Sequence, residues 1–486
     1  MKSAGVAPRL RLLCCALTVL AGCAAGPDYQ RPAPPQAARL TREALTATAA
    51  APGPQGAAQH FDAAAEIAPQ WWTAFGSPQL NALVEQALQH NPDVEAAAAA
   101  LRAAHENLAA QRSAFLPSAQ LGYAPSRQQN AVGTLSPTLA SGAPQYTLHT
   151  AQLSVGFAPD VFGRNRRTVE SLAAQAEQQR HQLDAVYLTL AANVVVAAVQ
   201  EASLRAQIEA ASEAIAADER ALELLRFQVR VGYANGLDLA AQESTLAAAR
   251  TALPPLRKQL EQTRNALATL VGQTPDEAGL VRLDLATLTL PASLPQLTPS
   301  QIVEHRPDVR AAEAQVHAAS AQVGIAVANR LPQFSIDASY GGSSEKFLRM
   351  LADHNVFWAV IGSATATVLD FGALKHQQKS AEAALEQATA QYRGVVLAAF
   401  QNVADAFYAL AADAQALAAA TEAVASAQRT LKLTRQQLEA GGVNALALCN
   451  AEQAYQQARA ALVQARAARL TDTAALFQAL GGAWPR

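Results

Sequence analysis

The residue best placed to react is Cys23. It closes Leu20-Ala21-Gly22-Cys23, which has the pattern of a lipobox: two small residues leave a peptidase access to the backbone, and the thiol takes a diacylglyceryl group. Lys2, Arg9 and Arg11 precede an apolar run from Leu12 to Leu20 that is too short to span a bilayer, as in an export signal. Residues 1–22 are therefore expected to leave as a lipoprotein signal peptide, taking Cys14 and Cys15 with them. Cys23 would then carry an S-diacylglycerol and an N-palmitoyl chain. The plainer reading is an ordinary signal peptide that happens to contain a cysteine. Either way a single free thiol, Cys449, remains, and one thiol cannot form an intrachain disulfide.

Elsewhere the residue types do not assemble into chemistry. The nine histidines show no paired metal-ligand spacing, and there is no phosphate loop, no Ser/His/Asp context and no zinc-type cysteine pair. No enzyme, metal or cofactor is expected. The formal charge of −2 provides no basic field for nucleic acid. Charged residues make up only 16% and aromatics 5%, with alanine the commonest residue, which favours closely packed helices over a core of large side chains. No unbroken apolar run of about 18 residues lies beyond the N-terminus, so no membrane-spanning helix is expected in the mature chain.

The elements come in two copies. Asn91-Pro92-Asp93-Val94 recurs as Arg306-Pro307-Asp308-Val309, and Leu116-Pro117 as Leu331-Pro332, both 215 residues on. Past a Gly/Pro-bearing loop between Tyr123 and Leu153 the offset falls to 209. Phe162-Gly163 then matches Phe371-Gly372, Gly232 and Asn235 match Gly441 and Asn444, and Val271-Gly272 matches Leu480-Gly481. Length differences of this kind belong in loops. The expected organisation is a lipidated tether over 23–70, rich in Ala, Pro, Gln and Gly, followed by repeats at 71–285 and 286–486. In the first repeat a helix leads to strands 118–124 and 148–157, a long helix 164–231 and a returning helix 237–271. In the second the strands are 333–340 and 358–368, and the helices 373–440 and 446–480.

Each strand alternates apolar with polar residues, for example Phe334, Ile336, Ala338 and Tyr340 against Ser335, Asp337 and Ser339, so one face is wet. That pattern also fits a small soluble sheet covered by a helix. The long helices, on the order of 100 Å each at about 1.5 Å per residue, are too long for one compact core and must lie side by side. Open strand edges cannot face lipid, and membrane barrels have at least about eight strands. Four strands per chain therefore require copies, eight from a dimer or twelve from a trimer.

From Gly22-Cys23-Ala24-Ala25-Gly26-Pro27-Asp28-Tyr29 through Trp71-Trp72-Thr73-Ala74-Phe75-Gly76-Ser77-Pro78 to the doubled motifs, nearly the whole chain resembles the TolC/NodT-type outer membrane factors. Ala24 after the cysteine, in place of Asp, resembles their outer membrane sorting pattern. The resemblance implies a mainly α protein with a membrane β-barrel. It implies a homotrimer whose twelve shared strands cross the outer membrane, in contact with its lipid, and whose α-helical coiled-coil tunnel reaches toward a periplasmic adaptor and an inner membrane pump. The expected function is the exit duct of a tripartite efflux system for small molecules such as drugs. By the same resemblance Leu446 falls on an apolar ring and Asn450 on an acidic ring at the periplasmic gate, with Asp238, Glu243 or Glu452 able to supply the charge Asn450 lacks. The helix turns at Gly232, Asn235 and Gly236 and at Gly441, Gly442 and Asn444 would be the tips where the adaptor docks. The plainer reading of these positions is a solvated helix start. Arg164, Arg166 and Arg167 are either interface anchors or solvated charge, and Lys346 and Arg349 lie in a strand-connecting loop. Protein secretion, metal export, and a pore-free structural lipoprotein of the periplasm are the competing functions.

Overall fold

Proline sets where the shorter helices begin. α1 (Pro78–His90) opens with Ser77 Oγ accepting the Leu80 N–H at 3.2 Å, and α2 (Pro92–Arg112) restarts after Asn91. In the other half α5 (Pro299–His305) opens with a Thr298–Gln301 capping box, and α6 (Pro307–Ala328) follows Arg306. Proline suits each first position, where its missing N–H would be unbonded anyway. The long helices, α3 (Arg164–Arg230) and α7 (Ala373–Glu439), have 67 residues each. The returning helices, α4 (Gly236–Leu270) and α8 (Ala445–Ala479), have 35 each. The ends differ by one residue from the sequence reading, because Val231 and Ala440 already belong to the turns and Asn235 and Asn444 take the N-cap positions. α4 runs on through Pro254 and Pro255.

The computed structural model describes residues 25–33, 37, 39–43, 45–129, 145–276 and 282–482, so Cys23 and the signal segment lie outside them. The chain forms two units. One gathers the N-terminal residues up to Pro32, Leu101–Gln178 and Ala312–Tyr392 and holds a four-stranded sheet. The other gathers Ala33–Ala100, Gln179–Ala311 and Arg393–Arg486 and holds the helical core.

In the helical unit Trp71, Trp72 and Phe75 are buried, with Trp71 stacked on Phe477 at 5.2 Å between ring centres. Each long helix contains an 18-residue stretch apolar enough on average to cross a membrane, which a search for unbroken runs passes over. Less than half of each stretch is buried in the chain: Val194, Val195 and Val199 of α3 and Val396, Val403 and Leu410 of α7 are covered, whereas Val196 and Leu397 are exposed. The segment read as a tether is partly built into this unit. β1 (His60–Asp62) pairs in parallel with β4 (Ser293–Pro295). Arg469, fully buried, donates to Gln55 O at 2.8 Å, Ala57 O at 2.7 Å and Thr48 Oγ1 at 2.9 Å.

The duplication is visible in bonds as well as spacing. Asn91 Nδ2 donates to Leu270 O at 3.0 Å, at the end of α4. Its counterpart Arg306 donates through Nη1 to Ala479 O at 2.7 Å, at the end of α8. Gly272 and Gly481, at φ 76° and 95°, let the chain pass close beneath; a Cβ on Gly272 would lie 2.3 Å from His90 O. The Asn/Arg-Pro-Asp-Val motif and the terminal glycine are thus two sides of one closure.

The sheet runs β2 (Ser118–Gln129), β3 (Gln145–Phe157), β5 (Gln333–Ser344), β6 (Val356–Thr365), antiparallel throughout, with β2 and β6 at its edges. The strand ends need correction. β2, β3 and β5 extend past 124, 148 and 340 toward the connecting loops, because cross-strand pairing continues through polar and glycine residues that break the alternation. β6 begins earlier, at Val356, and pairing stops at Thr365 rather than 368.

Candidate functional site

Register turns the alternation into a surface. Leu121, Leu153, Tyr340 and Trp358 form one continuous row across all four strands, flanked by Ala119–Val155–Ala338–Val360 and Tyr123–Ala151–Gly342–Val356. Directly opposed residues point to the same side, so these rows make a single apolar face. It is open to solvent: Leu121 is 82% exposed and Trp358 74%. The other side carries Gln120–Ser154–Ser339–Ala359 and Ser118–Gly156–Asp337–Ile361, polar except on β6, with Phe357 lying over Gly341, where a Cβ would come within 2.9 Å of the ring. At the far end Phe347, in the β5–β6 connection, meets Tyr123 edge-on at 5.7 Å, and Lys346 and Arg349 beside it are exposed. Among the described residues only the Phe347–Arg349 turn lies against this face, at its far end, and an oily face of this extent is a surface for lipid.

Where strands give way to long helices, Asp160 and Asp370 cap the helix starts. Asp160 accepts the N–H groups of Asn165 and Arg166, and Asp370 those of Gly372 and Leu374, all at 2.8 Å. The two junctions differ beyond that. Phe162 packs toward Phe334, whereas Phe371, with Val368 and Leu369, is exposed. Arg164 and Arg166 lie at the helix surface, but Arg167 is only 5% exposed and bonds to the chain at Ala25, Gly26 and Asp28. It is therefore neither the head-group anchor nor the solvated charge that its sequence position suggests.

The two helix turns lie in the helical unit. In the first, Gly232 (φ 83°) donates to Val229 O, and Tyr233 to Gln228 O at 2.8 Å; in the second, Gly441 (φ 74°) donates to Leu438 O, and Gly442 to Gln437 O at 2.8 Å. These are Schellman closures, which need a left-handed residue. Asn235 Oδ1 accepts the Asp238 N–H at 2.8 Å, and Asn444 Oδ1 the Ala447 N–H at 3.1 Å. Gly232, Asn235, Gly236, Gly441, Gly442 and Asn444 all stand exposed on these turns. Leu446, half-buried, and Asn450, exposed, sit one turn apart on α8, and Asp238 is half-buried in the first turn of α4.

Behind them lies a buried polar group that spacing did not reveal. The Cys449 thiol meets Gln242 Oε1, and Gln242 Nε2 donates to Asp218 O at 3.2 Å. Burial first, then the charges of Glu452 and Asp218, pushes the thiol up to about 11, so it stays protonated and unreactive. Burial likewise raises the Asp218 carboxyl. Ion pairs brace both hairpins: Arg226–Glu243 and Arg435–Glu452, each at 2.9 Å, stand at equivalent positions of the repeat. Farther along α7, Asp413 is pushed up to about 7 by burial and by its hydrogen bond to Asp472, with Arg469 opposing.

Long helices feeding a half-open sheet with one oily and one wet face define the class: a β-barrel channel protein with a long helical body. The model of the outer membrane efflux protein family matches twice, over residues 83–273 and 298–482, following the internal repeat. The chain belongs to that family. It is 31% identical to the toluene efflux pump outer membrane protein TtgF of Pseudomonas putida over 470 residues, 96% of this chain and 95% of that protein. It is 29% identical to the pyoverdine export outer membrane protein OpmQ of the same species, over 85% of this chain and 88% of the relative. Among solved structures, the outer-membrane channel OprN superposes with a TM-score of 0.84 at 26% identity, covering 95% of this chain and all of that one. The protein is thus the outer membrane channel of an efflux pump, a transport protein and not an enzyme.

Proposed function

We propose that three copies pool their sheets into a twelve-stranded barrel and their helices into a tunnel, forming a duct that passes small organic molecules out of the cell. The carrying observation is the continuous apolar face bounded by the edges of β2 and β6. Four strands cannot close on themselves, and unpaired edges in lipid cost several kcal/mol per group. The wet face, with Gln120, Ser154 and Ser339, would line the lumen. Acylated Cys23 anchors each subunit to the outer membrane. The turns at Gly232, Asn235 and Gly236 and at Gly441, Gly442 and Asn444 dock a periplasmic adaptor, and the duct is loaded by an inner membrane pump. Leu446 narrows the periplasmic end. Asn450 brings size and hydrogen bonding there without charge, and Asp238, Glu243 and Glu452 are the acidic candidates for cation preference.

The mass of the detergent-solubilised protein and its conductance in a planar bilayer test this together. Three copies and discrete conductance steps are expected, with Asn450→Asp raising cation selectivity. A single detergent-independent copy that passes no ions would overturn the reading.

A further inference from the structure

The geometry points to a clamp, built by Arg167 and Gly324, that holds the chain just after the lipidated cysteine and directs the acyl anchor to the foot of the barrel. The inference rests on acylation of Cys23, as proposed above. The clamp is made wholly within the sheet-bearing unit.

Arg167, at the start of α3, donates through Nε to Ala25 O at 3.2 Å and through Nη2 to Gly26 O at 3.4 Å and Asp28 Oδ1 at 2.7 Å. Glu170 fixes the guanidinium from its own helix, accepting Nη1 at 2.8 Å. Gly324 of α6 leaves the room: a Cβ there would lie 2.9 Å from the Arg167 side chain, and a Cβ on Gly26 would lie 2.4 Å from the Gly324 Cα. Two glycines and an arginine thus stack in direct contact. Ala25 N–H donates to Phe162 O at 3.0 Å. Farther along, Tyr29 stacks on His317 at 4.2 Å, and Arg31 pairs with Glu313 at 2.9 Å.

These contacts give the strap a direction. From Gly324 back to Glu313 is about 16 Å of helix at about 1.5 Å per residue. From Gly26 to Arg31 is likewise about 16 Å at about 3.3 Å per residue, so the strap matches the helix as an extended chain. Its N-terminal end lies by Phe162, where β3 gives way to α3. Only Ala24 separates Cys23 from Ala25, two steps of chain or about 7 Å at most. Whatever Cys23 carries therefore leaves the protein at the junction of sheet and helix, where the apolar face ends. A flexible tether would let the acyl chains wander; this one delivers them beside their own subunit's strands.

Chymotrypsin can cut after Tyr29, releasing residues 23–29 as a fragment whose mass reports its acylation. With the full-length protein in proteoliposomes, wild type should resist this cut. Arg167→Ala should release the acylated fragment at least ten-fold faster, with Asp28→Ala smaller and Arg167→Lys intermediate. Asp28 is almost fully exposed, so its replacement cannot disturb the body of the protein. Unchanged conductance and unchanged cleavage elsewhere show that the variants fold. Equal release of an acylated fragment from wild type and all three variants overturns the clamp alone. A fragment without acyl chains overturns the lipidation of Cys23, and the anchor's delivery with it.

Discussion

The hairpins α3–α4 and α7–α8 are built on one plan and turned to different ends. Each closes through a left-handed glycine and an asparagine cap, and each is braced by an Arg–Glu pair at the same repeat position. The first presents Phe227, Val231, Tyr233 and Leu237 to solvent, Tyr233 being 88% exposed. The second turn is Gly441-Gly442-Val443, and Leu446, the counterpart of Leu237, is half-buried. Its polar partners are drawn inward instead: Glu452 is 12% exposed where Glu243 is 48%, and Cys449 reaches Gln242. Duplication kept the parts that close a hairpin and freed the parts that face outward. Both tips stay exposed, but the first carries an apolar surface while the second has its apolar and polar side chains, Leu446, Cys449 and Glu452, drawn inward behind it.

The largest break in this symmetry is Asp413 and Asp472, whose counterparts are Leu204 and Thr263. Asp413 is raised from 3.8 to about 7 by burial and its neighbouring carboxyl, so its contribution to stability is present below about pH 4 and is lost as pH rises through about 7. Asp413→Asn should abolish that decline and raise the melting temperature by several degrees at pH 8; an unchanged pH profile would show that the pair does not share a proton. Next in size are the two braces. Arg435→Ala strands a nearly buried carboxylate and should cost about 2 kcal/mol, whereas Arg226→Ala, at an exposed pair, should cost less than about 1 kcal/mol. Equal losses in chemical denaturation would erase the distinction between interior and surface. The caps should then behave alike: Asn235→Ala and Asn444→Ala are each expected to cost about 1 kcal/mol. Gly232→Ala and Gly441→Ala should cost a similar amount, about 1 kcal/mol each, because an L side chain resists the left-handed backbone. No atom lies within 4 Å of either added Cβ, which leaves only the left-handed backbone to resist it.

Much of this plan could be read from residue order. Offsets of 215 and 209 located the repeat, prolines marked helix starts, and alternation at Phe334–Tyr340 marked an amphipathic strand. What escaped depended on contacts between distant segments. Nothing in Gln145–Phe157 says that β3 pairs with β5 of the other half. Arg167 resembles its neighbours Arg164 and Arg166 until its fork is seen around Ala25 and Gly26. Arg469 sits in an alanine-rich helix with no sign that it holds the N-terminal segment at Gln55 and Ala57. Cys449 is legible as a lone thiol, but its burial against Gln242 is a matter of helix packing. The glycine turns were visible because left-handed backbone has few occupants.

The unlike edges of the sheet have a consequence for cells carrying two versions of the gene. If β6 of each subunit joins β2 of the next, the contact is head-to-tail, and a copy spoiled only along β2 still offers a sound β6. Such a copy would enter rings it cannot complete. With equal amounts of sound and spoiled chain, about one in eight of the proposed three-copy rings would be free of the defect, so a recessive-looking lesion would behave as a dominant poison.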